Sequence, residues 1–379
     1  MISIQQVRTI AIIGLFSLFC CKLTAQTPGE TSGKPAVDQS KLPFTRQIRK
    51  TVTFLTTSCL HQPQPDEIAR MTPEVVSKLS PEDKREWDIE LAGTLKPEEI
   101  QKMKPEDARR IRVDLHSGTA FIVFVTDDRA GKDNEFQYLV TNRHVIEPGV
   151  EKGKTCDVLQ YTLALNHKGV TPTDPIHVQT VNIGPSERWY ESTDRSVDLA
   201  VIPVMLPMEQ WDYESIPISN FVTEDMIERN EIAEGYPVVF AGMFIQYVGG
   251  TKLEPVVRSG TIAMLPDDKV MTTLGVLGHI FLAEAHAFEG NSGSPMFVDI
   301  DKFKNSLGWD YRLLGVVTGE VFESNDFTLQ VSTSFGGTVH ANSNISVIVP
   351  AEEIQKILDS ADLKKLRDDA IAKLGSTTK

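Results

Sequence analysis

Residues 290–295 read Gly-Asn-Ser-Gly-Ser-Pro, a run that sets the hydroxyl of Ser292 among residues able to fold a backbone tightly around it. Gly290 and Gly293 allow backbone angles closed to other residues, so successive N–H groups can converge on one point and hold a developing oxyanion. Alone, such a run is an ordinary turn. A serine hydroxyl attacks a carbonyl only when a neutral imidazole takes its proton and an acid orients that imidazole. Among the eight histidines, His144 ends an apolar run (YLVTNRHVI) where a strand gives way to a turn and a side chain projects into a cleft. His61, His116, His167, His177, His279, His286 and His340 lie in no comparable setting. For the acid, Asp198 heads DLAVIPV, whose apolar residues would tether a buried carboxylate, whereas Asp194 reads as solvated.

These groups need a scaffold that holds three distant segments together. From Ser117 onward the chain is a series of short β segments, among them GTAFIVFV, QYLVTN, DVLQYTLAL, DLAVIPV, PVVFAGM, VVRSGTIAML, SPMFVDI and NISVIVP. Regular spacing with Gly, Asn and Asp turns points to a closed all-β architecture, enough for two antiparallel β-barrels. The expected divisions are a first barrel over 49–210, a second over 211–350, and a C-terminal helix over 351–376 with Ile354, Ile357, Leu358 and Leu363 at helical spacing. A charged insertion, about 62–112, interrupts the first barrel. In it Pro65, Pro73, Pro81, Pro97 and Pro105 keep a spacing of eight, with Ile89 in the one skipped place, each proline followed by Glu or Asp. A proline every two turns removes a backbone hydrogen bond each time, so one long helix is excluded and a string of short helical turns is expected.

Composition bounds the function. With 379 residues, 41% hydrophobic and 24% charged, the chain has the make-up of a globular protein with one or two cores. Residues 1–25 carry Arg8, an apolar run from Thr9 to Cys21 and a small residue, Ala25, before Gln26. This is the pattern of a secretory signal peptide, too short for a membrane span and lacking a small residue before Cys20 or Cys21 for lipid attachment. Residues 26–48 read as a flexible linker or pro-segment. Loss of Arg8 and Lys22 with the signal moves the formal charge from -14 to -16, a surface that repels nucleic acid and anionic lipid. The expected location is the periplasm or the extracellular space. There Cys59 and Cys156 either pair or remain buried thiols.

In order, GTAFIV, TNRHVI, DLAVIPV and GNSGSP resemble the trypsin-like serine endopeptidases, in particular bacterial HtrA proteases and glutamyl endopeptidases. The resemblance spans about residues 50 to 360. It implies the chymotrypsin-type double barrel with His144, Asp198 and Ser292 as catalytic triad, and the N–H groups of Gly290 and Ser292 as oxyanion hole. It also implies a protein or peptide substrate, no cofactor, and a primary pocket formed by His286, Ala287, Val317 and Thr318 that suits a small or medium apolar side chain. Asn291 stands where digestive relatives have Asp, so activation by a salt bridge to a new N-terminus is not expected. A PDZ domain is not expected either, and Val317 stands where glutamyl endopeptidases have a His, so glutamate preference is not implied. The insertion falls in a connection that is long and regulatory in HtrA proteases.

Other classes fit less well. Gly153-Lys154-Thr155 imitates a phosphate-binding loop, but Gly149 is one residue too close and a strand follows. Asp299 and Asp301 hint at calcium, yet Phe303 takes the next ligand position. No His or Cys pair has metal spacing. The alternatives are a protease-fold binding or scaffold protein whose triad is not assembled, and an esterase using the same groups. Oligomeric state is left open.

Overall fold

The computed structural model describes residues 43–61, 65–81, 83–84, 87, 113–130, 135–149, 156–169, 177–300, 311–330 and 334–377. The signal-peptide segment, most of the linker and most of the insertion lie outside them. The chain divides into two compact units, one of Met1–Leu42 with Leu60–Asp114 and the other of Pro43–Cys59 with Leu115–Lys379. In the first unit, short helices Pro65–Arg70 and Pro73–Lys78 begin on prolines of the eight-residue series. Thr72 caps the second by accepting from the Val75 N–H, and Ser80 accepts from Asp83 N–H at 3.0 Å just before the helical turn at Pro81. Each proline occupies a position whose N–H has no helical partner, and at Pro73 and Pro81 the hydroxyl of the preceding Thr72 or Ser80 satisfies a donor of the first turn. Pro97 and Pro105 lie outside the described residues.

The second unit opens with a helix, Phe44–Thr51, which corrects the reading of 26–48 as linker over its last five residues. Phe44 and Ile48 lie one turn apart on a single face. Ile48 is buried, and Phe44 stacks on Tyr311 with ring centroids 3.5 Å apart. Two apolar residues in a basic stretch give too short a pattern to recognise without the surface they meet.

Eight strands follow: β1 (Val52–Leu60), β2 (Val113–Thr126), β3 (Glu135–Thr141), β4 (Val158–Asn166), β5 (Val178–Ile183), β6 (Tyr190–Glu191), β7 (Ala200–Pro203) and β8 (Ile216–Pro217). They form one sheet in the order β5-β4-β1-β2-β3-β7-β6, with β8 paired to β2. Leu55, Ile122, Leu139 and Leu163 fill one cluster beneath it. The disulfide Cys59–Cys156 ties the end of β1 to the approach to β4, with Cα atoms 5.5 Å apart.

The C-terminal sheet is β9 (Pro237–Gly242), β10 (Val256–Met264), β13 (Phe281–Glu284), β14 (Pro295–Asp299), β15 (Tyr311–Gln330) and β16 (Ser334–Pro350). These close into a barrel in the order β10-β13-β16-β15-β14-β9, while β11 (Val270–Met271) and β12 (Leu277–Gly278) pair as a separate ribbon. Phe240, Met296 and Ile348 are fully buried inside. The all-β class expected from the strand pattern is what the structure has. Two details differ: hydrogen bonding closes only the second barrel among the described residues, and β15 pairs with β16 out to Gln330↔Ser334, far past the segments expected as strands. Polar residues and glycines make up most of that extension, with only a short apolar alternation at Phe327 and Leu329 to announce it.

The single C-terminal helix expected over 351–376 is two helices, Ala351–Leu358 and Ala361–Thr377. Ser360 makes the break, its carbonyl accepting from Lys364 N–H at 2.9 Å and its hydroxyl from Leu363 N–H at 3.5 Å. No described helix is long and apolar enough to cross a membrane.

Candidate active site

Strand register brings the first two groups together. β3 and β7 run antiparallel with Thr141 opposite Ala200, so the residues after Thr141 and those before Ala200 leave the sheet at the same end. His144 lies three residues beyond one and Asp198 two before the other. A helical turn, Arg143–Ile146, replaces the strand and swings the imidazole toward the carboxylate. His144 Nδ1 stands 2.6 Å from Asp198 Oδ2, and the His144 backbone N–H donates to Asp198 Oδ1 at 3.1 Å. Asn142 completes the clamp by donating its amide to the Asp198 carbonyl at 2.7 Å.

Asp198 is 1% exposed. Burial works to raise its pKa, but the facing His144, its hydrogen bond and the Thr318 hydroxyl outweigh that cost and hold the carboxyl below the ordinary carboxylate value. An ionised Asp198 accepts from Nδ1–H, which leaves His144 Nε2 as the lone-pair nitrogen.

Ser292 comes from the turn entering β14. Phe288 C=O accepts from Asn291 N–H at 2.9 Å and Gly290 has φ 93°, the geometry of a type II turn, which demands a positive φ at its third residue. Gly293 has φ 87°, and its N–H donates to Val317 C=O at 2.8 Å. A methyl group there would overlap the Thr119 carbonyl and press on the Thr141 hydroxyl 2.7 Å away. Glycine is therefore required twice over at position 293.

Thr119, on β2, is the tether that sequence reasoning missed. Its N–H donates to Ser292 C=O at 2.8 Å, its hydroxyl donates to Gly290 C=O at 2.7 Å, and the same oxygen accepts from Met243 N–H at 2.8 Å. One buried residue thus grips both sides of the serine and joins them to the residue after β9. Asn291 adds an internal brace, accepting from Phe288 N–H at 2.9 Å and donating to Met243 C=O at 2.5 Å. A charged Asp could accept the first bond but could not donate the second. The signal for Thr119 lay in GTAFIV, whose threonine is polar within an apolar strand.

The residues expected to line a primary pocket divide. Val317 is fully buried in the second barrel and Ala287 lies in the same cluster, so neither wall offers surface to a substrate. The Thr318 hydroxyl donates to Asp198 Oδ2 at 2.5 Å, which makes it a positioning contact of the carboxylate rather than pocket lining. In a strand alternate residues face opposite ways, and β15 turns Val317 inward and Thr318 toward Asp198. His286 is half-buried with its ring 4.2 Å from Phe288, and its Nε2 has no hydrogen-bond partner among the described residues. A cavity of about 180 Å³ opens beside the imidazole, lined by His144, Asp198, Arg143, Arg195, Leu274 and Val276. Among the described residues, no cluster of three His, Cys, Asp or Glu side chains is arranged to hold a metal.

Known folds resemble this chain. An HtrA-type protease, AlgW, solved with a decapeptide, matches over 85% of this chain and 68% of its own at 15% identity and a TM-score of 0.40. Deg5 matches over 72% and 81% respectively, at 13% identity and a TM-score of 0.37. The Rv3671c protease in its inactive form covers 64% and 83%, at 17% identity and a TM-score of 0.32. No family model matches the sequence, and no curated protein does. At these identities and TM-scores no residue role is transferred from the neighbours.

Proposed function

We propose that the chain is a serine endopeptidase in which Ser292 attacks the peptide carbonyl, His144 is the general base and Asp198 orients it. The observation that carries the reading is the 2.6 Å contact between His144 Nδ1 and the buried Asp198 carboxylate, at the shared end of β3 and β7. His144 Nε2 takes the Ser292 hydroxyl proton as Oγ bonds to the carbonyl carbon, and the imidazolium formed is stabilised by Asp198. The C–N bond breaks as the imidazolium returns that proton to the leaving amine. Water, deprotonated by the same nitrogen, then releases the acyl group from Ser292. The Gly290 and Ser292 N–H groups serve the oxyanion.

The Ser294 N–H, donating to Asn291 C=O at 2.9 Å, supports this reading, since that carbonyl shares its peptide plane with the Ser292 N–H, while Thr119 holds the adjoining Gly290 and Ser292 carbonyls. The Cys59–Cys156 disulfide and the apolar segment before Lys22 support export to an oxidising compartment. The test is hydrolysis of reduced, unfolded casein. Cleavage by the native chain that disappears with Ser292→Ala and with His144→Ala is expected, whereas equal cleavage by native chain and Ser292→Ala would sink the proposal.

A further inference from the structure

The loop 243–255, between β9 and β10, carries apolar side chains outward instead of inward. Ile245 is 44% exposed, Tyr247 70% and Val248 36%, and Phe288 in the nucleophile turn is 38% exposed. Water-facing apolar side chains grouped in this way mark a contact surface, because each loses favourable burial for as long as it stays uncovered.

The group is held rigidly. Phe244 and Tyr247 stack at 5.8 Å within a turn closed by Tyr247 N–H to Phe244 C=O at 2.8 Å. Phe244 also meets Phe288 at 5.7 Å, and the Arg258 guanidinium lies over both rings, 4.4 Å from the Phe288 centroid. At the far end of the loop, Asn166 accepts from Leu253 N–H at 2.9 Å and donates to its carbonyl at 3.2 Å. Side chains fixed this way lose little further freedom on binding.

The group is also continuous with the nucleophile. Ile245 reaches to 3.0 Å from the position a Cβ on Gly290 would occupy, and Asn291 donates to the carbonyl of Met243 at the loop's start. Whatever covers these residues lies against the turn that presents Ser292. A polypeptide lying across Ser292 meets this requirement.

We propose that Ile245, Tyr247, Val248 and Phe288 form a subsite for a large apolar side chain of the substrate polypeptide, close to the bond that is cut. The proposal rests on the reading of Ser292 as nucleophile. It makes the preferred substrates segments with Leu, Ile, Met or aromatic residues near the cleavage point, the segments that folded proteins bury.

The experiment uses the full chain with Ser292→Ala, so that binding is read without turnover. Two fluorescein-labelled decapeptides, one with Leu at alternate positions and one with Ser there, are titrated by anisotropy. The Leu peptide is expected to bind about tenfold more tightly, and adding Ile245→Ser with Tyr247→Ser, both at exposed positions, should remove that preference. An unchanged preference in the substituted chain overturns the subsite. So does sedimentation showing a dimer that the two substitutions dissociate with no change in peptide preference, because the surface would then be an interface between copies. Fluorophosphonate labelling of the native chain is measured alongside. Absence of labelling with the preference intact leaves the subsite standing and removes the catalytic reading, whereas labelling without the preference does the reverse.

Discussion

The His144–Asp198 pair and the Ser292 turn are held by different physics. The pair sits at the end of two neighbouring strands, β3 and β7, whose apolar residues are buried and whose register is fixed by that burial. The turn has no such ladder over residues 288–293. It is held by single hydrogen bonds from Thr119 on β2 and to Val317 on β15, by the turn's own Asn291 amide on Met243, and by two glycines at positive φ. A base and its acid can be positioned by a sheet because they are side chains. An oxyanion site is made of backbone, and backbone is aimed only by fixing the peptide planes on each side of it.

Substitutions break this comparison to different extents. Asp198→Asn keeps the shape of the pair while favouring the wrong imidazole tautomer, and kcat on a peptide substrate should fall by about 10⁴-fold with little change in KM. Gly293→Ala attacks the turn instead. Its positive φ and the overlap with the Thr119 carbonyl should cost at least about 2 kcal/mol, read from denaturant midpoints, with activity lost as the turn shifts. Were Gly293→Ala harmless while Asp198→Asn was severe, the turn would not be the rigid element described.

Thr119→Val leaves the Met243 N–H and the Gly290 carbonyl without their buried partner, costing about 1–3 kcal/mol. Thr119→Ser should restore most of the activity. If both variants lost activity equally, the methyl rather than the hydroxyl of Thr119 would matter.

Acid pH sharpens the other side of the comparison. Against the opposing effect of burial, the facing His144 and the Thr318 hydroxyl hold the Asp198 carboxyl below the ordinary aspartate value in the folded chain. Its contribution to stability is therefore complete above about pH 4 and is lost as pH falls through the folded value. Unfolding midpoints measured between about pH 2 and pH 7 should show this acid limb in the native chain and a shallower one in Asp198→Asn. The smallest expected effect is Thr318→Val, which removes one of the bonds to the carboxylate and should lower kcat about tenfold, with Thr318→Ser recovering it.

The same contrast explains what was legible in the sequence. The strand runs around His144 and Asp198 are apolar and strong, and their order along the chain announced the pair before any distance was known. Gly290, Ser292 and Gly293 were recognisable as a tight turn. Thr119 was not, because a threonine in a strand is common and its three bonds span well over a hundred residues of sequence. Thr318 was assigned to a pocket wall since nothing local to β15 tells which face looks toward Asp198. The helix Phe44–Thr51 escaped for having too few apolar residues to show a period, and the outer part of the β15–β16 hairpin because its one short alternation, Phe327 and Leu329, stands among polar residues and glycines.

The central claim is that Ser292 is the nucleophile made reactive by His144. The most direct measurement is the intact mass of the full chain after reaction with a fluorophosphonate, followed by peptide mapping of the adduct. One phosphonyl group on Ser292, absent in Ser292→Ala and strongly slowed in His144→Ala, is the predicted result. An unmodified chain, or an adduct on any other residue, would contradict it.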